Sequence, residues 1–105
     1  MNKNDIYWAE IHFQDEDETK VRPALIINES RDSVTVLKIT TKGNASDYQF
    51  EIIEWEAAGL LKPSYISFEP TIIVPRDKLG DRIGKLQLAD RLRFEMRLME
   101  RINNR

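Results

Sequence analysis

The chain changes once from strand-like to helix-like sequence, and this change restricts the fold more than any other feature. About six short segments of high β-propensity occupy residues 5–86, separated by polar turns. From residue 87 to 102 the apolar residues recur instead at helical spacing. Short strands followed by one helix are typical of a mainly β (α+β) fold, a small curved antiparallel sheet or barrel closed by a C-terminal helix. At 105 residues, we expect a single domain over residues 1–105.

Alternating apolar residues and turn signals divide the front of the chain into strands. Polar runs at residues 14–19 and 41–47 are interpreted as loops. One helical turn is expected at residues 54–58, stopped by Gly59, because glycine is the usual residue after a helix C-terminus. The predicted strands cover residues 5–13, 21–28, 33–40 and 48–53, one or two segments within 65–74, and a turn with a short strand within 77–86.

The terminal helix is predicted to be amphipathic. Its apolar residues form a stripe that Phe94 and Leu98 widen, and arginines occupy much of the remaining surface. We therefore expect the stripe to pack on the sheet. It consists of Leu88, Leu92, Met96, Met99 and Ile102.

Cysteine is absent and His12 is the only histidine, which excludes several kinds of site. Disulfides, a thiol nucleophile, cysteine-bound zinc and iron–sulfur clusters all need cysteine, and a site of several histidines cannot form. We therefore expect neither a metal nor a cofactor. No segment approaches the roughly 20 apolar residues of a membrane helix, and the first residues lack the apolar centre of a signal peptide. The expected location is the cytoplasm, without membrane contact.

Charge is unevenly distributed, although the formal net charge is only -2. Acidic residues dominate before Val21 and basic residues after Gly80. The weak net charge disfavours a protein that binds nucleic acid through a general coat of lysine. The acidic front and basic tail suggest separate surfaces with separate partners. For most of these residues, simple solvation of a small protein is an equally good explanation.

Arg22 and Pro23 interrupt an otherwise ordinary strand. Proline fixes its own φ, lacks the N–H donor of the ladder and keeps the preceding residue extended. Within a sheet it is found at an edge, a strand start or a bulge. Arg22 therefore lies where the ladder is broken, just before the apolar residues 24–27. Its guanidinium suits a phosphate, although an ordinary arginine that pairs with a nearby acid has the same spacing.

Thr40, Thr41 and Lys42 close the predicted strand at residues 33–40 and offer two hydroxyls and an ammonium to phosphate oxygens. Threonine is common in strands, so this cluster alone indicates little. However, the strands at residues 21–28 and 33–40 are expected to form a hairpin. Antiparallel pairing across its turn brings Arg22 close to Thr40. The two weak features together predict one site.

Five segments stand out beyond this pair: DIYW at residues 5–8, VRPALII at 21–27, KITTK at 38–42, AGLLKPSYI at 58–66 and IGKL at 83–86. In this order they resemble the MazF/PemK family, the toxin component of bacterial type II toxin–antitoxin pairs. The segment with Arg22 and Pro23 is modestly specific alone. All five in order are strongly specific, and they cover nearly the whole chain.

This resemblance implies a fold and a reaction. The fold is an SH3-like barrel with a C-terminal helix, assembled as a homodimer. The activity is metal-independent, sequence-specific cleavage of single-stranded RNA, which arrests translation and growth until a cognate antitoxin protein binds. DNA is reached only through that antitoxin. By position, Arg22 and Thr40 match the family's catalytic arginine and threonine. The expected RNA-binding residues are Lys20, Thr41, Lys42 and Ser64.

A base for the ribose 2′-hydroxyl is harder to assign. Arginine stays protonated at ordinary pH and is a poor base. His12 has suitable chemistry, and Glu69 is a second candidate, because the family often has an acid or amide near it. Some members carry an arginine–aspartate pair as acid and base where this chain has Ile66 and Phe68. The sequence therefore fits better the members that rely on arginine and threonine alone.

Two features favour a different class, a non-catalytic binding module. The segment QDEDETK at residues 14–20 is unusually acidic beside an expected RNA groove, where carboxylates oppose phosphate. The acid–base pair is also missing. The CcdB toxins, similar in fold, poison DNA gyrase by binding alone, and a degenerate member could simply hold an antitoxin. Retention of both Arg22 and Thr40 favours the nuclease, and a structural barrel without a site is a third hypothesis.

Overall fold

The computed structural model describes residues 1–12, 19–43 and 48–103. The predicted strands are present, and the helix begins and ends one residue later than predicted. The end of the first predicted strand at Phe13 and most of the two predicted loops, residues 14–18 and 44–47, lie outside the described residues. Thr19, predicted to end the first loop, begins a strand instead. The elements are β1 (Asp5–His12), β2 (Thr19–Glu29), β3 (Ser33–Thr40), β4 (Gln49–Ile52), β5 (Ser64–Ser67), β6 (Ile72–Pro75), a 3-10 turn (Arg76–Lys78), β7 (Leu79–Lys85) and α1 (Leu88–Asn103).

The strands form one antiparallel sheet in the order β4-β5-β3-β2-β1-β7, with β6 paired to β3. The β2–β3 register shifts between Ile26 and Asn28, and the β1–β7 register shifts twice. Such irregularities bend a sheet in the way that β-bulges do. The mainly β fold with a C-terminal helix is confirmed. Among the described strands the sheet stays open, because its path ends at β4 and β7 without closing a complete barrel.

Two apolar clusters form the core. The larger one joins α1 to the sheet through Phe94, and the smaller one joins residues of β1, β2, β3 and β6. Leu25 belongs to the larger cluster, while its neighbours Ala24 and Ile26 belong to the smaller one. Because successive side chains of a strand point to opposite faces, β2 is buried on both faces in this region.

The face that α1 packs on the sheet differs from the predicted one. Phe94 is buried and Leu98 is half-buried against the larger cluster. The predicted stripe points away from the sheet. Its exposed fractions lie between 51% and 66% at Leu88, Leu92, Met96, Met99 and Ile102.

Aromatic packing explains this choice of face. The Phe94 ring stacks on Phe68, with 5.5 Å between ring centroids, and meets Phe50 edge-on at 5.4 Å. Arginines beside Phe94 cover the same surface: Arg93 lies 4.7 Å from the Phe50 centroid and Arg101 lies 4.8 Å from that of Phe68. The side of the helix that carries one phenylalanine and a row of arginines therefore fits the sheet better than the aliphatic side. No helix among the described residues has the length and apolarity of a membrane span.

Residues 53–59 form the predicted turn, and Gly59 ends it. Gly59 has a φ of 97°, a conformation that costs glycine little. Its N–H donates to the Glu56 carbonyl at 3.0 Å, and the Leu60 N–H donates to the Trp55 carbonyl at 3.0 Å. These are the paired hydrogen bonds of a Schellman motif. The predicted glycine stop is confirmed.

Asp90 of α1 anchors this turn from the helix side. Its side chain is 1% exposed and accepts hydrogen bonds from the N–H groups of Ile53 at 3.2 Å and Glu54 at 2.8 Å. Arg93 pairs with the same carboxylate. These donors replace the water that the carboxylate loses on burial. Helix α1 thereby holds the turn that leads into residues 59–62.

Candidate active site

A pocket opens where the pairing between β2 and β3 stops. The last pair formed by these strands is Ala24 with Lys38, whereas the pairing of β2 with β1 continues past Pro23 to Thr19. Pro23 is thus the first residue of β2 outside the β3 ladder, a position that suits a residue without an N–H donor. The predicted interruption of the ladder beside Arg22 is confirmed. A cavity of about 630 Å³ lies there.

Cations, hydroxyl groups and apolar side chains line this cavity. None of the lining residues that the structure describes is a carboxylate, and five carry a positive charge, in a chain whose formal net charge is -2. A cleft lined by one sign of charge raises the local concentration of the opposite sign. The lining residues are Trp8, Lys20, Val21, Arg22, Pro23, Lys38, Ile39, Thr40, Thr41, Lys42, Gly59, Leu60, Leu61, Lys62, Ser64 and Ile83.

Arg22 and Thr40 border the same opening. Arg22 and Thr40 each lie two residues beyond the Ala24–Lys38 pair, on the two strands that separate there, and both line the cavity. Arg22 is exposed, and its Nη1 lies 3.5 Å from the Val21 carbonyl oxygen. The predicted meeting of these two residues in one pocket is therefore observed, while their catalytic roles stay a prediction.

The hydroxyl of Thr40 has a defined orientation. Its Oγ1 accepts a hydrogen bond from the backbone N–H of Lys42 at 3.1 Å. A hydroxyl that accepts in this way still keeps its own hydrogen for another partner. Since Thr40 lines the pocket, that hydrogen can be donated to an anion bound there.

The four predicted RNA-binding residues also line the pocket: Lys20, Thr41, Lys42 and Ser64. Ser64 differs from the others because it is only 3% exposed. Its Oγ donates a hydrogen bond to the Lys62 carbonyl at 2.7 Å. The hydroxyl hydrogen of Ser64 is thus used within the fold, and a ligand would meet only its oxygen lone pairs.

The two candidates for the base lie outside the pocket lining. His12 ends β1, is exposed, and has its Nδ1 3.5 Å from Oγ1 of Thr19. Glu69 follows β5 and forms an ion pair with Arg101 at 2.9 Å. The fold therefore brings neither of them to the opening between β2 and β3.

The positions at which some relatives carry an acid–base pair hold core residues. Ile66 is fully buried and Phe68 is 5% exposed, both within the larger apolar cluster. Over the described parts of the chain, no group of histidine, aspartate and glutamate side chains is arranged to hold a metal ion.

Among the charged and aromatic lining residues, three do not belong to the predicted site: Trp8, Lys38 and Lys62. Lys38 lies within β3 and Lys62 follows the Gly59 turn, so their charges reach one pocket only through the tertiary fold. Trp8 is 39% exposed on β1. The available signal was their membership in three of the five family-like segments.

Fold and pocket together define a class of protein. Proteins of this class have a small curved antiparallel sheet and a C-terminal helix. Their cationic pocket, which suits a polyanion, lies where two central strands separate. The sequence matches one family over residues 2–101, the PemK-like, MazF-like toxins of type II toxin–antitoxin systems. The chain belongs to this family, so the resemblance seen in the sequence is confirmed.

Solved structures agree with this assignment. The Mycobacterium tuberculosis toxin MazF-mt6 is 30% identical, with a TM-score of 0.71 over 95% of this chain and 93% of that one. An Mtb toxin is 31% identical, with a TM-score of 0.64 over 79% and 90% of the two chains. An endoribonuclease from a mycobacterial species, in complex with its cognate antitoxin, shares the fold at a TM-score of 0.76 over 96% and 93%, with 15% identity. No curated protein matches the sequence significantly.

Proposed function

We propose that this chain is a metal-independent, sequence-specific endoribonuclease. It cleaves single-stranded RNA, arrests translation and growth, and is neutralised by a cognate antitoxin. The observation that carries the proposal is the shared pocket of Arg22 and Thr40, which is cationic and free of carboxylates among its described lining residues. Membership in the PemK-like, MazF-like family supports the class of function.

In the proposed reaction, the ribose 2′-oxygen bonds to the adjacent phosphorus while the bond to the 5′-oxygen breaks. The products are a 2′,3′-cyclic phosphate and a free 5′-hydroxyl. Negative charge grows on the non-bridging oxygens in the transition state, where Arg22 donates N–H groups and Thr40 donates its O–H. A preorganised donor of this kind is worth about 3 kcal/mol of transition-state stabilisation. The base that accepts the 2′-hydroxyl proton is not assigned to a residue.

The rest of the pocket suits the nucleotides on either side of the cleaved bond. Lys20, Thr41 and Lys42 are proposed to hold phosphates, since such contacts provide most of the affinity for nucleic acid. Ser64 is proposed to bind RNA as an acceptor, from a hydroxyl or base N–H group, because its own hydrogen is donated to the Lys62 carbonyl. Trp8 offers an aromatic surface on which a base can stack.

The test is incubation of the purified protein with labelled single-stranded RNA of varied sequence in the presence of EDTA. The wild type is expected to cleave at short defined sequences and to leave 5′-hydroxyl ends. Arg22→Ala is expected to lower kcat by about 10²–10³-fold through loss of charge stabilisation. The matched control is Arg31→Ala, an exposed arginine in the β2–β3 turn that does not line the pocket.

Replacing the ribose before the cleaved bond by 2′-deoxyribose should abolish cleavage, because the attacking oxygen is then missing. Equal cleavage by wild type and Arg22→Ala would refute the proposal, as would an absence of cleavage across all RNA sequences. RNA binding or capture of gyrase without any cleavage would instead favour the non-catalytic binding module.

The proposed protein partner is an antitoxin with an acidic, partly disordered segment. Such a segment can fold along the cationic pocket and cover Arg22, and its charge complements the lysines there. DNA is then contacted only by the antitoxin. We place the pair in the cytoplasm, where its RNA substrate is translated.

We also propose that the chain is a homodimer, as the family resemblance implies. The exposed stripe of α1 supports this assembly, since a second copy would cover its aliphatic side chains. We propose a single domain over residues 1–105, which is supported by the larger cluster that joins the terminal helix to the first strands. The oligomeric state is tested by substitutions in the stripe.

A further inference from the structure

Gly43 packs directly on the ring of Tyr65, at the edge of the pocket that holds Thr40. A Cβ added to Gly43 would lie 2.0 Å from Cε1 and 2.2 Å from Cζ of Tyr65, so a larger residue cannot occupy this place without movement. Tyr65 is fixed in β5 through its register pairs with Thr40 on one side and Glu51 on the other. This pairing on both sides fixes the β5 backbone that carries the ring.

Lys42 lies between β3 and this contact, and its main chain is held at both ends. Its N–H donates to Oγ1 of Thr40 at 3.1 Å, and its carbonyl oxygen accepts from Nε2 of Gln49 at 3.4 Å. The next residue is Gly43 on the Tyr65 ring. The side chain of Lys42 lines the pocket. The ammonium group is thus carried by a segment that three contacts restrain.

We propose that Tyr65 is a positioning residue: through its contact with Gly43 it fixes the Lys42 ammonium and the Thr40 hydroxyl toward an RNA phosphate. The nature of this ligand rests on the proposed function. Donors held in place stabilise charge without reorganising at the moment of reaction. If Gly43 moves away from the Tyr65 ring, the hydrogen bond from the Lys42 N–H to Thr40 is lost. The Lys42 ammonium and the Thr40 hydroxyl then lose their orientation.

The contact can be disturbed without disturbing the core. Gly43 is exposed and Tyr65 is half-buried, and neither belongs to the two apolar clusters. Gly43→Ala and Tyr65→Phe should therefore leave the melting temperature nearly unchanged, whereas Tyr65→Ala also removes the packing of a half-buried ring.

Binding is measured with a mixed-sequence single-stranded oligonucleotide of 2′-deoxyribose, which cannot be cleaved, at several salt concentrations. For single strands, the slope of log K against log salt concentration changes by about 0.7 for each phosphate contact. Lys42→Ala is expected to lower this slope by about 0.7, and Gly43→Ala and Tyr65→Ala should do the same. The Lys42→Ala/Gly43→Ala double variant should show no further loss, because both changes remove one contact.

Catalysis gives a second readout on an RNA that the wild type cleaves. Gly43→Ala and Tyr65→Ala should lower kcat by at least about tenfold, since the Thr40 hydroxyl is misplaced. Tyr65→Phe keeps the ring and should restore both the salt slope and kcat. The matched control is Tyr48→Ala, an exposed tyrosine outside the pocket lining.

An unchanged salt slope and kcat in Gly43→Ala would overturn the proposal, and an equal loss in Tyr65→Phe would overturn the role of the ring. If Tyr65→Ala does not fold, Gly43→Ala decides, because Gly43 is exposed and lies outside both apolar clusters. If the slopes change as expected but wild type cleaves no RNA, the positioning role stands and the proposed nuclease function fails.

Discussion

At the scale of single residues, the pocket places an aromatic surface next to a cation. Trp8 pairs with Pro23 across β1 and β2, while Arg22 pairs with Ala9. Paired residues share a face of the sheet and successive residues alternate, so Trp8 and Arg22 point to opposite faces. They therefore reach the opening from the two sides of the β2 edge that β3 leaves. A nucleotide that crosses this edge meets the indole on one side and the guanidinium on the other.

Removing the indole should therefore weaken RNA binding. Stacking of a base on an aromatic side chain is worth about 1–3 kcal/mol, so Trp8→Ala should raise the Kd for single-stranded RNA by about 5–150-fold. Trp8→Phe should retain most of the affinity, because it keeps an aromatic face. The measurement is a titration with a 2′-deoxy oligonucleotide that cannot be cleaved.

Fluorescence offers an independent check, since the chain has only two tryptophans. The second, Trp55, packs against the larger apolar cluster and does not line the pocket. RNA should quench the wild type and leave the emission of Trp8→Phe unchanged. Equal quenching of both proteins would show that the base does not contact Trp8.

At the scale of secondary-structure elements, the pocket wall depends on a helix that does not border it. The turn at residues 53–59 delivers Leu60, Leu61 and Lys62 to the lining. Asp90 of α1 holds the first N–H groups of that turn. A carboxylate from the last element of the chain thus stabilises a wall of the site.

Asp90→Ala should lower the free energy of unfolding by about 3 kcal/mol, because two N–H groups of the turn lose their acceptor. Asp90→Asn keeps one acceptor oxygen and should cost less. Urea unfolding followed by circular dichroism measures both. Asp81→Ala, an exposed aspartate of β7, is the control and should change the stability by less than about 0.5 kcal/mol. A similarly small change in Asp90→Ala would mean that water replaces the carboxylate at no cost.

At the scale of the whole molecule, α1 has two apolar sides, and only one of them is covered. Phe94 lies in the core, whereas the stripe from Leu88 to Ile102 is exposed. An exposed row of large aliphatic side chains is typical of an interaction surface. A second copy of the chain is the partner that we propose for it.

The double variant Leu92→Glu/Met96→Glu should be monomeric, because buried charge at an apolar interface opposes association. Sedimentation equilibrium should find twice the 12.3 kDa chain mass for the wild type and 12.3 kDa for the variant. Ile73→Glu places a charge on an exposed apolar residue of β6 and should leave the assembly unchanged. A wild-type monomer, or a dimer that survives the double variant, would exclude the stripe as the dimer surface.

Much of the fold could be predicted from local pattern. High β-propensity predicts the strand at residues 33–40, and Gly59 is predicted as a stop because glycine is the usual residue after a helix C-terminus. Pro23 indicated the break in the ladder, since a residue without an N–H cannot serve a ladder on both sides. The expected hairpin then predicts that Arg22 and Thr40 meet, and both line the same pocket. These features depend on the chemistry of one residue or on pairing between neighbouring strands.

Other features depended on contacts between distant parts of the chain. Periodicity shows that α1 has apolar residues but not which side meets the sheet, and the ring of Phe94 against Phe68 outweighs the longer aliphatic stripe. In the folded chain Lys38 and Lys62 line the pocket, whereas His12 and Glu69 do not. The sequence alone therefore predicts the break in the sheet at Pro23 and the meeting of Arg22 and Thr40 beside it. The helix face, the full set of cations and the support of Gly43 by Tyr65 arise only when strands and helix pack in three dimensions, because burial and charge depend on neighbours that local sequence does not specify.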